Sequence, residues 1–230
     1  MVPLRVMRRR GVTHAIKTCV ARAFSTSYSW QDSHLVDRSM CHDEALCGND
    51  LQVMEDVLSE HEERVLADEA AALLRRRRYE VNHWDQVIIN FKEMETIKWS
   101  QEAADILARV RKLPILPQDL EYFPAVHVID LAAEGYIKPH VDSIKFSGQV
   151  VAGLNLLSPA VMRFQEEHGD SRLDLFLPRR SFYCMRGGVR YRYTHEILPG
   201  IQVFQNQPVE RTRRISIMMR DVNVDTPMSP

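Results

Sequence analysis

From Tyr122 to Val222 the chain is cut into short β-like runs, and this punctuation restricts the fold more than any other feature. The runs are 124–131, 148–157, 160–166, 171–177, 181–186, 189–197 and 212–222. Breakers stand between most of them: Gly135, Ser158-Pro159, His168-Gly169-Asp170, Pro178, Gly187-Gly188, Pro199-Gly200 and Pro208. Proline removes a backbone donor and glycine tolerates positive φ, so such clusters end ladders and start turns. Many short strands within about a hundred residues predict a sandwich, barrel or jelly roll.

The part before Tyr122 reads differently. Val65, Leu66, Glu69, Ala70, Leu73 and Leu74 form one stripe, which predicts a helix over 60–77 ending in Arg75-Arg76-Arg77-Arg78. Ser100 is placed to cap a second helix, Gln101 to Lys112, with acids near its start and Arg109, Arg111 and Lys112 near its end. Pro114 and Pro117 stop it. Residues 32–60 are weakly patterned and read as irregular. Residues 79–98, with His83-Trp84-Asp85, read as a loop with aromatic anchors. The expected organisation is mostly β with N-terminal helices: an extension over 25–121 with two helices, a β core over 122–222 and a tail over 223–230.

The formal charge of −1 hides an asymmetry. Residues 1–31 carry Arg5, Arg8, Arg9, Arg10, Lys17 and Arg22 and no acid, which leaves the remainder at −7. Val12, Ile16, Cys19, Val20 and Ala23 fall at roughly helical spacing within the basic segment. This is the pattern of a mitochondrial transit peptide, with processing just after Phe24, and it places the mature protein in the matrix. The acidic remainder lacks the global basic footprint of a nucleic-acid binder. The arginine run 75–78 either grips phosphates or is a solvated helix end favoured by the macrodipole, and the second is the plainer reading. Cys19, Cys41, Cys47 and Cys184 form no Cys-x-x-Cys pair, which fits a reducing compartment. No apolar run approaches the ~20 residues that span a bilayer, so no membrane span is expected.

Three His-x-Asp pairs are present: His83/Asp85, His140/Asp142 and His168/Asp170. Two histidines and one carboxylate on one face of an octahedron hold Fe(II) and leave positions open. In a strand, i and i+2 share a face, so one His-x-Asp delivers two ligands side by side. His168-Gly169-Asp170 sits in a turn, and His83/Asp85 precedes the β region. Only His140/Asp142 has strands on both sides. The third ligand candidate is His195, which alternation in 190–197 turns inward with Tyr191 and Tyr193. An inward histidine taken alone is more often a bonded core residue. The last strand adds weight, because Arg214, Ser216 and Arg220 share one face and Ile215, Ile217 and Met219 the other. Arg214 can pair bidentately with a cosubstrate carboxylate, Arg220 can add a second anionic contact, and Tyr183 can donate its hydroxyl. The spacing from His-x-Asp to a histidine 53 residues on, then an arginine 19 residues beyond it, is more specific than any single element.

With these residues in view the chain resembles the Fe(II)/2-oxoglutarate dioxygenases, and among them the mitochondrial branch of the AlkB family. The resemblance rests on His140-x-Asp142, His195 and Arg214 to Arg220. Further support comes from Arg75 to Glu80, His83-Trp84-Asp85, Gly135 to Phe146, Leu156-Leu157-Ser158-Pro159, Val161-Met162-Arg163 and Arg213 to Ser216. It spans about 73–220 and implies a double-stranded β-helix, or jelly-roll, dioxygenase core. It implies one Fe(II) on His140, Asp142 and His195, and 2-oxoglutarate on Tyr183, Arg214, Ile215, Ser216 and Arg220, with dioxygen as the other substrate. Repair members carry an Asn-x-Tyr pair where this chain reads Val126-His127-Val128-Ile129, and His127 is the expected replacement for one contact. The stretch from Tyr79 to Tyr122 is short for their nucleotide-recognition lids. The expected activity is oxidative demethylation of N-methylated bases in mitochondrial RNA. The alternatives are hydroxylation of protein side chains and a non-catalytic mitochondrial scaffold. The branch also implies links to alkylation-induced programmed necrosis and to fatty-acid metabolism.

Overall fold

A computed structural model describes residues 28–83 and 85–223. The transit segment, 1–24, and nearly all of the tail lie outside the described residues.

The first strands are β1 (Val36–Asp37) and β2 (Leu51–Met54), followed by α1 (Glu60–Leu74). A capping box starts α1: Ser59 Oγ accepts from the Glu62 amide while the Glu62 carboxylate accepts from the Ser59 amide. The helix stops before the arginines rather than at 77, because four adjacent like charges repel each other when wound into one turn. A hairpin follows, β3 (Glu80–Asn82) and β4 (Ile88–Thr96), then α2 (Gln101–Val110), whose cap is Ser100 as expected. The stretch 79–98 is thus strand rather than loop. Glu93 and Glu95 line the cavity beside apolar Ile88 and Met94, so β4 lacks the clean apolar alternation that marks a strand in a sequence.

The roll proper uses β5 (Val126–His140), β6 (Val151–Leu156), β7 (Ala160–Glu166), β8 (Arg172–Leu177) and β9 (Ser181–Met185). A short helix α3 (Gly187–Arg192) leads into β10 (Tyr193–Ile197). An exposed hairpin, β11 (Ile201–Phe204) and β12 (Gln207–Glu210), precedes β13 (Arg214–Arg220). The eleven-stranded sheet runs β1-β8-β7-β10-β5-β13-β6-β9-β2, with β4 also on β5, and its pairs are antiparallel. It is a curled jelly roll, and β1, β2 and β4 weave the N-terminal part into it.

Gly135 was expected to break the chain, yet β5 runs through it. Between the pairs Leu131↔Phe91 and Tyr136↔Ile89 the register slips, leaving a bulge on β5. A Cβ at Gly135 would meet the carbonyl oxygens of Asn90 and Ile89 at 2.5 and 2.7 Å, so only glycine lets β4 approach here. Buried Arg211 donates to the carbonyls of Ala132, Ala133 and Gly135 and so satisfies the bulge.

Two cores result. One fills the roll, with Leu51, Phe91, Phe164, Leu175 and Tyr193. The other packs α1 and α2 against the outer face of β13, β6 and β9, with Leu66, Leu107, Val110, Leu154, Ile215 and Ile217. Glu63, buried in α1, accepts from the Leu157 amide and from Arg179, which pins the helix to the roll. Because β13 alternates, burying Ile215, Ile217 and Met219 under the helices turns Arg214, Ser216, Met218 and Arg220 into the roll's cavity.

Candidate active site

His140 is the last residue of β5, and β10 sets His195 directly opposite it. Their ring centroids lie 4.2 Å apart. His140 Nδ1 is 2.9 Å from the Lys138 carbonyl oxygen. A carbonyl only accepts, so Nδ1 carries a proton, and in the neutral ring Nε2 keeps the lone pair. Asp142 follows just past the strand, where Arg190 donates to its backbone carbonyl at 2.8 Å. The carboxylate stands 3.6 Å from His140 Nε2 and 3.7 Å from His195 Nε2, beyond hydrogen-bond length. Its Oδ2 is buried without a hydrogen-bond partner.

A buried acceptor with no donor is costly, and two imidazoles facing it do not relieve it at these distances. A cation between them does. The ligand atoms of His140, Asp142 and His195 all lie within 4.8 Å of one another, so the residues present fit a mononuclear metal of the two-histidine, one-carboxylate type. Electrostatics agree. Burial pushes the Asp142 carboxyl up, but His195, His140 and Arg190 outweigh burial and hold it far below the usual range. Burial drives His195 down to about 4, so it is neutral, the form that ligates. For His140 burial pulls down and the Asp142 carboxylate pulls up, with a net upward shift.

The cavity over these three residues has a volume of about 590 Å³. Arg214, 2% exposed, lines it, and its Nε donates to Asn155 Oδ1 at 2.5 Å. Burial lowers the guanidinium to about 10, so it stays charged at neutral pH. Among the described residues it has no carboxylate within ion-pair distance. A buried cation held only by a neutral amide suits an incoming carboxylate. Asn155 is itself fixed, donating to the carbonyls of Ser158, Leu177 and Pro178. Tyr183 lines the same cavity, and burial pushes its phenol up, so it remains a donor. Its ring crosses β6 at Gly153, where a Cβ would meet it at 2.9 Å. Ser216 is there too.

Two expected contacts sit differently. The Ile215 side chain is in the core under the helices, on the face opposite Arg214, because neighbours on a strand point apart. Arg220 lines the cavity, but its guanidinium is engaged by the Glu95 carboxylate. Residues 190–192 also depart from alternation, since α3 is helical: Arg190 is buried and Tyr191 is 40% exposed.

Sequence reasoning missed a second polar group in the cavity. Asp85 Oδ1 is 2.6 Å from His83 Nδ1, His83 Nε2 is 3.0 Å from Glu93 Oε1, and Glu93 Oε2 is 2.9 Å from His127 Nε2. Burial pushes the Glu93 carboxyl up, and the two rings outweigh it and bring it down. The hairpin that joins His83 to Glu93 was the hidden element. Asn155 did leave a signal, a lone amide within a run of otherwise apolar residues.

Two curated relatives, from Bos taurus and Mus musculus, are both the mitochondrial alpha-ketoglutarate-dependent dioxygenase alkB homolog 7. Each is 46% identical over 168 and 167 residues respectively, which is 72% of this chain and 75% of the relative. The chain belongs to the alkB homolog 7 family. It is an Fe(II)/2-oxoglutarate-dependent dioxygenase, and its family is mitochondrial. No protein-family model matches the chain. The fold is shared with the OsALKBH1 structure, at TM-score 0.54 and 10% identity over 74% of this chain and 97% of that one. It is shared also with a Pseudomonas putida prolyl-4-hydroxylase, at TM-score 0.51 and 13% identity over 76% and 92%.

Proposed function

We propose that the protein is a mitochondrial-matrix dioxygenase that removes N-methyl groups oxidatively from bases in mitochondrial RNA. In this reading 1–24 is a transit peptide, 25–121 the extension, 122–222 the catalytic core and 223–230 a tail. His140 Nε2, His195 and Asp142 hold the iron. Bound there, Fe(II) supplies the dioxygen activation that couples decarboxylation of 2-oxoglutarate to succinate with hydroxylation of a substrate C–H bond.

The chain's own residues set the geometry. Arg214 pairs with the distal carboxylate of 2-oxoglutarate, Asn155 fixes Arg214, and Tyr183 and Ser216 donate hydrogen bonds to the cosubstrate. Arg220 releases Glu95 or shares it when an anion arrives. Ile129, Ile137, Met162, Ile197 and Met218 line the cavity and exclude water from the reacting carbon. A hydroxylated N-methyl group then loses formaldehyde and leaves the free amine.

One observation carries the reaction class: the unpartnered Asp142 Oδ2 set between two imidazoles at the floor of an open cavity. The family and the arginine run beside the cavity support RNA as substrate. The links to programmed necrosis and fatty-acid metabolism rest on the family resemblance alone. The test compares methylated bases in mitochondrial RNA precursors from cells with the protein, without it, and with His140→Ala in its place. Higher N-methyl content in the last two supports the proposal. Equal methylation in all three contradicts it, and a hydroxylated protein partner would point to side-chain hydroxylation instead.

A further inference from the structure

Eight of the described arginines are paired with carboxylates, Arg172 and Arg192 among them. Arg109, Arg163, Arg179, Arg180, Arg213 and Arg220 each sit within ion-pair distance of one. Arg75, Arg76, Arg77 and Arg78 are different. All four are exposed, and no side-chain ion pair or hydrogen bond holds any of them among the described residues. They follow the last turn of α1, where one or two cations satisfy the dipole. Four adjacent unpaired charges exceed that need and repel one another. Beyond residue 31 the chain is net acidic, so four adjacent exposed arginines form a local basic patch.

The run also has a position. Arg77 lines the same cavity as His140, Asp142 and His195. Phe146 lines it too and is 56% exposed, and the Lys145 ammonium lies 5.4 Å from the centre of its ring. Unpaired cations and a solvent-facing aromatic ring at one cavity mouth form the pair of features that binds single strands: cations track phosphates and rings stack on bases. A single strand also presents a base to a cavity without the cost of opening a duplex.

We propose that the mouth of the reaction cavity anchors single-stranded RNA. Arg75 to Arg78 take backbone phosphates, and Phe146 stacks on a base next to the nucleotide that enters. This rests on RNA being the substrate, as proposed above. It accounts for polyanion binding by an acidic protein through a local patch.

The experiment measures binding of a labelled single-stranded oligoribonucleotide by fluorescence anisotropy over a range of salt. The quadruple variant R75Q/R76Q/R77Q/R78Q is expected to bind about tenfold to a hundredfold more weakly. Its slope of log affinity against log salt should be shallower by about 2 to 3, from roughly 0.7 per neutralised phosphate on a single strand. The matching R75K/R76K/R77K/R78K variant keeps the charges and should restore both affinity and slope, which separates charge from any effect on folding. Phe146→Ala should weaken binding about tenfold with the slope unchanged. Wild-type affinity and slope in the glutamine variant would overturn the proposal, as would a flat salt dependence in the wild type. In parallel, both proteins receive the same oligoribonucleotide carrying one N-methylated base, with Fe(II) and 2-oxoglutarate, and formaldehyde is measured. Arginine-dependent binding without formaldehyde from the wild type upholds the anchor and removes demethylation. Equal formaldehyde from both proteins at subsaturating RNA upholds demethylation and removes the anchor.

Discussion

Two His-x-Asp pairs face the same cavity, and they are opposites. In His83/Asp85 the partners touch at 2.6 Å, and the second ring nitrogen is taken by Glu93 at 3.0 Å. Both ring nitrogens of His83 are spent on neighbours, and Asp85 Oδ1 also accepts from the Val87 amide. In His140/Asp142 the nearest approach is 3.6 Å, His140 Nδ1 is spent on a backbone carbonyl, and Asp142 Oδ2 has no donor. The motif is the same at the level of sequence, but one copy is closed on itself and the other converges on a point. What distinguishes them is the third partner. Glu93 engages His83 Nε2 at 3.0 Å, whereas His195 Nε2 stands 3.7 Å from Asp142 and leaves its Oδ2 without a hydrogen bond.

This contrast can be broken by substitution. The largest effect is expected from Asp142→Ala, which removes the charge that attracts the cation: Fe(II) binding by calorimetry and succinate formation should both fall to background. Next is Arg214→Gln, which keeps a donor for Asn155 but not the charge. The apparent affinity for 2-oxoglutarate should fall about tenfold to a hundredfold, roughly the 1.5–3 kcal/mol of a charged hydrogen bond, with Fe(II) affinity unchanged. Smaller still is Glu93→Gln, which weakens two hydrogen bonds to histidines and should cost about 1–2 kcal/mol in urea denaturation. The smallest is Asp85→Asn, at a carboxylate 35% exposed, with a loss of about 0.5–1 kcal/mol. Fe(II) affinity should stay within about twofold in the last two, since neither residue is a ligand; a large loss there would mean that the closed pair shares the metal.

The residues that alternation controls were legible in the sequence. The period of two on β13 puts Arg214, Ser216 and Arg220 on the cavity face, and the structure keeps them there. His195 faces inward for the same reason. The misreadings arise where that period fails or is masked. Residues 187–192 wind into α3, which reverses the expected sides of Arg190 and Tyr191. On β4 the cavity-lining Glu93 and Glu95 interrupt the apolar alternation and mask the strand, and with it went the His83–Glu93–His127 group. Gly135 is a bulge rather than an end because β4, far upstream, approaches it closely. Asn155 and Arg214 are 59 residues apart, a pairing that only the closed roll creates.

The contrast between the two pairs is tested most directly by anaerobic addition of Fe(II) and 2-oxoglutarate, watched through the metal-to-ligand charge-transfer absorption. The wild type and Asp85→Asn should both develop the band at equal strength, and Asp142→Ala should develop none. A band that persists in Asp142→Ala, or that vanishes in Asp85→Asn, would contradict the assignment of the metal to the open pair.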